Sequence, residues 1–94
     1  MTVLHDAVTL HASDTVATAL RPLEAGESIR VRGPHEATKM ILIEAIGLCH
    51  KVAVVDVPVG AKIRKYGEII GVATQAIRAG QHVHIHNIKT LIDA

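Results

Sequence analysis

One phrase recurs three times along the chain: Leu23-Glu24-Ala25-Gly26-Glu27-Ser28-Ile29, Val57-Pro58-Val59-Gly60-Ala61-Lys62-Ile63 and Ile77-Arg78-Ala79-Gly80-Gln81-His82-Val83. Each copy runs aliphatic, two residues, Gly, two residues, aliphatic. Glycine enters the positive-φ region that other residues avoid, and the flanking aliphatics anchor such a turn to a core. Three of these turns in 94 residues predict a loop-rich, all-β fold whose short strands pair over long sequence distances. The unequal spacing of the copies argues against a solenoid.

Between the turns lie short runs rich in β-branched residues, which read as strands at Val8–Leu10, Thr15–Leu20, Ser28–Val31, Met40–Ile43, Lys51–Val57, Lys62–Lys65, Ile69–Ala73 and His82–Ile88. Gly67 is expected to turn a hairpin between the sixth and seventh of them. The stretch Glu36–Ile46 fits a helix or a buried strand equally, because periodicity does not separate the two over so short a run. A helical turn is expected at Ser13–Asp14, where capping residues precede an apolar run. The length suits a single domain, residues 1–94.

Composition removes several function classes. A formal charge of +1, scattered over the chain, lacks the concentrated basic face of a nucleic-acid binder. One Tyr, with no Phe or Trp, removes stacking on single strands. No run approaches the roughly 20 apolar residues needed to cross a bilayer, and the N-terminus shows no signal-peptide pattern. Cys49 is the only cysteine, so no internal disulfide forms, and a lone thiol suits a reducing cytoplasm. That thiol is expected to be packed or half-buried, since nothing near it marks a stabilised thiolate.

Seven histidines are many for this length. His82-Val83-His84-Ile85-His86-Asn87 alternates polar and apolar residues, so a strand would present the three histidines on one face and send Val83 and Ile85 to the core. Same-face neighbours then stand roughly 6.6 Å apart and the outer pair about 13 Å. One adjacent pair, or a single His, can ligate a divalent metal, with other ligands from elsewhere. The competing reading is a solvated polar strand face. No CxxC or HExxH pattern completes a zinc set. In Cys49-His50-Lys51 the His and Lys face opposite sides, and His50 is a candidate for the same cleft as the C-terminal histidines. Lys65 suits a substrate carboxylate as a point charge, and Tyr66 beside it is either a core-edge residue or part of a site. Arg21, His5, His11 and His35 show no pattern.

Taken together, Asp14-Thr15-Val16-Ala17-Thr18-Ala19-Leu20-Arg21-Pro22-Leu23, His50-Lys51-Val52-Ala53, Lys65-Tyr66-Gly67-Glu68-x-Ile70-Gly71 and Ala79-Gly80-x-His82-Val83-His84-Ile85-His86-Asn87 resemble the N-terminal domain of the altronate and galactarate dehydratases. That domain is similar to SAF domains, which have a β-clip fold. In the family it precedes a much larger catalytic domain, or forms a separate small subunit, as in the similar sulfolactate sulfo-lyase. This chain ends seven residues after Asn87 and in that resembles the split form.

The resemblance implies a cytoplasmic hydro-lyase subunit, inactive alone, that dehydrates a sugar acid such as altronate to a 2-keto-3-deoxy acid. It implies a large catalytic subunit as partner, a possible homo-oligomer, and Fe²⁺ or another divalent metal completed by that partner. His50, His84 and His86 become the catalytic candidates, with His84 and His86 on the metal. Lys65, Tyr66 and Asn87 become the substrate contacts. Elimination of sulfite from sulfolactate, a non-catalytic SAF assembly module and an independent metal-binding protein are the rivals. Two departures stand out: the family usually has Gly where this chain has Cys49, and Arg32–Ile46 matches poorly, as a partner- or substrate-selecting segment would.

Overall fold

The computed structural model describes residues 5–90. Nine strands form: β1 (Ala7–Val8), β2 (Val16–Ala19), β3 (Ser28–Arg32), β4 (Ala37–Ile41), β5 (Lys51–Ala53), β6 (Lys62–Lys65), β7 (Glu68–Ala73), β8 (His82–Val83) and β9 (Ile88–Thr90). They assemble into a six-stranded sheet of order β4-β3-β1-β2-β5-β8 and a three-stranded sheet of order β6-β7-β9. The described residues contain no helix, so none is long and apolar enough to cross a membrane. The segment that could have been a helix is β4 and the link after it. The expected helical turn at Ser13–Asp14 is a non-helical turn, with Asp14 accepting the N–H groups of Leu10 and His11 at 3.0 and 3.1 Å.

The recurring turn occurs four times, not three. Gly26, Gly60 and Gly80 have φ of 83°, 84° and 94°, and Cys49 joins them at 68°. At each turn the residue after the positive-φ position donates its N–H to the carbonyl two residues before that position, as from Glu27 to Glu24 at 3.1 Å and from His50 to Gly47 at 3.0 Å. A positive φ at the third turn residue alone is the type II pattern.

The four turns are paired. Leu23 and Ile46, which open the first two, exchange both backbone hydrogen bonds at 2.8 and 2.9 Å; Val57 and Ile77, which open the last two, do the same at 2.7 and 2.8 Å. Each turn also clamps the strand end that leads into its partner. Gly26 donates to Leu42, Cys49 to Ala19, Gly60 to Ala73 and Gly80 to Ala53, at 2.8 to 2.9 Å. The fold is therefore two reciprocal clasps. Their aliphatics sit in two core clusters, one including Leu23, Ile29, Leu42 and Ile46, the other Val57, Ile63, Ile77 and Val83.

Two expectations change here. The stretch Lys51–Val57 is strand only as far as Ala53, because the chain then bends to reach the Val57–Ile77 bridge. The stretch His82–Ile88 is not one strand. It breaks after Val83 into a corner and resumes as β9 in the other sheet. Val83 is fully buried, as alternation predicts, but Ile85 lies on the corner and is 78% exposed.

Candidate functional site

Each clasp delivers one histidine to the same place. His50 follows the positive-φ turn at Cys49, and His82 follows the one at Gly80. Antiparallel pairing of β5 with β8 sets Val52 opposite His82, and His50 Nδ1 then lies 2.9 Å from His82 Nε2. The corner brings in the third ring. The N–H groups of Asn87 and Ile88 both donate to the His84 carbonyl, at 3.0 and 3.1 Å.

The Asn87 side chain holds that corner from inside. Its Oδ1 accepts the His84 N–H at 2.9 Å and its Nδ2 donates to the His82 carbonyl at 2.8 Å. At 3% exposure its amide faces the loop rather than solvent. The residue expected against substrate is thus placed as the brace of the imidazole loop.

The result is a trio. One ring nitrogen from each of His50, His82 and His84 lies within 4.8 Å of the others, and no carboxylate or thiolate joins them among the described residues. The ring of His82 lies 5.0 Å from that of His50, 5.5 Å from that of His84 and 5.6 Å from that of His86. An extended strand would have held the outer pair about 13 Å apart; the corner removes that separation. His86 stands beside the trio but not in it, so the converging set is His50, His82 and His84 rather than the pair His84 and His86. His82 belongs to the histidine face expected from the sequence but not to the pair assigned there to the metal; its convergence with His50 follows from the β5–β8 register, which alternation along one strand does not contain.

Burial lowers the pKa of His82, neighbouring His50, His84 and His86 lower it further, and Glu44 opposes them. A neutral imidazole is the form that binds a metal. Cis ligands at about 2.1 Å from one ion stand about 3 Å apart, close to the observed separation of the His50 and His82 nitrogens. Three imidazoles suit Fe, Zn, Ni or Cu. The donor set fits a divalent transition metal and leaves positions for further ligands.

A second group lies on the other face of the β5 ladder. Val52 packs in one core cluster and Ala53 in the other, so Lys51 shares the Ala53 face, away from Val52 and His82. Lys51 is in register with Thr18 of β2. The Tyr66 hydroxyl donates to Thr18 Oγ1 at 2.8 Å, and Lys65 Nζ stands 5.1 Å from the centre of the Tyr66 ring. Tyr66 and Gly67, with φ of 54° and 82°, form the two-residue type I′ loop of the β6–β7 hairpin. Asp14 Oδ1 accepts the Gly67 N–H at 2.7 Å and pins that loop to the turn before β2. Burial lowers the pKa of Lys51, and the charge of Lys65 adds to the effect. Cys49, expected to be packed or half-buried, is exposed.

The sequence profile described as the altronate/galactarate dehydratase SAF domain matches residues 5–91. The chain is 39% identical over 83 residues to altronate dehydratase of Escherichia coli (strain K12), covering 88% of this chain and 16% of that protein. It is 36% identical over 83 residues to altronate dehydratase of Bacillus subtilis (strain 168), again 88% of this chain and 16% of the relative. The chain thus spans about a sixth of those relatives' length. It is 34% identical over 91 residues to (2R)-sulfolactate sulfo-lyase subunit alpha of Chromohalobacter salexigens, covering 94% of this chain and 92% of that one. With two sheets of short strands, two turn clasps and a profile match over nearly all of its length, the chain belongs to the SAF-domain family of the altronate and galactarate dehydratases.

Proposed function

We propose that this chain supplies the imidazole-bearing wall of a lyase active site that dehydrates a sugar acid such as altronate, working with a larger catalytic polypeptide and inactive without it. The observation that carries the reading is the convergence of His50, His82 and His84. A divalent ion such as Fe²⁺ held by these residues would polarise the substrate carboxylate and the departing hydroxyl. Burial and the neighbouring imidazoles lower the pKa of His82, and its ring nitrogen already lies 2.9 Å from that of His50, which suits it to the role of a ligand. His86 lies outside the trio with an exposed ring and is the imidazole free to exchange a proton with substrate. Lys65 and Tyr66 lie on the other face of the β5 ladder and are not part of this imidazole wall.

Three features support a large partner. The donor set is incomplete, Ile85 projects from the imidazole corner with no apolar cover, and the match to a sulfo-lyase subunit extends over 92% of that subunit. The last observation also favours a second substrate reading, elimination of sulfite from a sulfonated hydroxy acid.

Co-purification from the source cell, followed by anaerobic assay against sugar acids and sulfolactate, tests both. We expect keto-acid release from the reconstituted complex and none from this chain by itself. His50→Ala and His84→Ala should each lower turnover by at least about a hundredfold with melting unchanged. Unchanged turnover would make the domain a non-catalytic assembly module.

A further inference from the structure

Two lysines, Lys51 in register with Thr18 and Lys65 beside the Tyr66 ring that reaches Thr18, flank one patch without an acidic partner. Among the described residues the ion pairs are those of Arg21 with Asp6 and Glu27. Neither Lys51 nor Lys65 has a carboxylate partner there. Glu68 is opposite Lys65 in the hairpin register but forms no ion pair with it. Lys51 is half-buried, and its charge is felt by that of Lys65. Holding two like charges together at a partly desolvated place is unfavourable unless an anion joins them.

The polar side chains around this place come from separate elements. Thr18 comes from β2, Lys51 from β5, Lys65 from β6 and Tyr66 from the hairpin loop. Thr18 Oγ1 accepts the Tyr66 hydroxyl, so its own hydrogen is free to donate. Tyr66 takes a φ of 54° as the first residue of the type I′ loop, a conformation suited to Asn or Gly, and from there its hydroxyl meets Thr18. Lys65 Nζ stands 5.1 Å from the centre of the Tyr66 ring. Unneutralised charge and a free hydroxyl coincide in one group of side chains.

We infer that Thr18, Lys51, Lys65 and Tyr66 form an oxyanion-binding subsite for the carboxylate or sulfonate of a small hydroxy acid. It rests on the lyase reading for its substrate class, but lies on the opposite face of the β5 ladder from the imidazole trio and binds its anion without the trio.

The test titrates the 94-residue chain with sodium galactarate, sodium 2-hydroxyethanesulfonate or sodium chloride at matched ionic strength. Lysine side-chain and Tyr66 ring resonances report binding. Saturable shifts with either organic anion and none with chloride are expected, and the stronger of the two identifies carboxylate or sulfonate as the preferred group. K51M and K65M should each weaken binding at least about tenfold with unchanged melting, K65R should retain most of it, and H84A should bind as the parent chain does. Absence of any saturable shift, or K51M and K65M binding like the parent, overturns the subsite. Normal anion binding beside a reconstituted complex that turns over no acid would sink the lyase reading and leave the subsite standing.

Discussion

Cys49 and Asp14 show how single residues set local energetics here. Cys49 occupies, at φ 68°, a turn position that three glycines fill elsewhere in the chain. A Cβ in the left-handed region costs about 1 kcal/mol or more, and the greater freedom of Gly in the unfolded chain returns part of that. Cys49→Gly should therefore raise stability by about 0.5–1 kcal/mol, read as a higher denaturant midpoint at constant slope; a lower midpoint would mean that the thiol makes a compensating contact. Asp14 works in the opposite sense. Burial pushes its carboxyl up, but the backbone N–H groups of Gly67, Leu10, His11 and Tyr66 outweigh it and hold the pKa below the ordinary carboxylate value. A carboxyl depressed in the folded state stabilises above its unfolded pKa of about 3.9 and loses that contribution as pH falls through its folded value. Asp14→Asn should lower the melting temperature at pH 7 and shrink the difference from the parent chain below about pH 4. An equal difference at both pH values would refute the hydrogen-bonded carboxylate.

At the scale of turns and strands, what the sequence displayed was the grammar of glycine. The three aliphatic-x-x-Gly phrases are three of the four clasp turns, and Lys62–Lys65 is a strand with the bounds read from its β-branched pattern. The fourth turn escaped notice because Cys49 hides it; positive φ is a property of the backbone, and residue type reports it only when the residue is Gly. The imidazole corner was misread for a related reason. Period-two alternation across residues 82–86 describes an ideal strand, but the buried Asn87 amide closes the backbone on itself, and a single Asn has no periodicity to betray it. Where the parent chain gives the Co²⁺ spectrum expected of the proposed trio, Asn87→Ala should open the corner, abolish that spectrum and leave the clasps folded; an intact Co²⁺ spectrum in the variant would show that the corner holds without its brace. Glycine positions also differ in what surrounds them. A Cβ on Gly26 would meet nothing within 4 Å, whereas on Gly80 it would stand 2.6 Å from the Ile41 carbonyl oxygen. Gly26→Ala should cost about 1 kcal/mol from φ alone, and Gly80→Ala clearly more, measured by urea denaturation. Equal costs would argue against the close approach.

For the whole molecule, the clasps explain why the site lies where it does. The chain extends 46 × 25 × 20 Å and has two core clusters rather than one. The Gly80 carbonyl accepts the Ile43 N–H at 2.9 Å, joining the clasps beside the two turns that carry His50 and His82. The β5–β8 ladder then sets those two imidazoles side by side where the two clasps meet. The same junction presents Ile85 outward between His84 and His86. A large aliphatic that is 78% exposed contributes little to its own fold, and burying it against a second polypeptide would release about 1.5–3 kcal/mol. Ile85→Asp should leave the melting temperature of this chain nearly unchanged, as exposed substitutions do. If the proposed large partner docks here, the substitution should weaken that association by roughly ten- to hundredfold, measured by calorimetry on the purified components. Turnover at saturating partner concentration should recover, because the imidazoles themselves are untouched. Undiminished affinity would place the partner on another face, and a collapse in melting temperature would mean that Ile85 packs within its own chain.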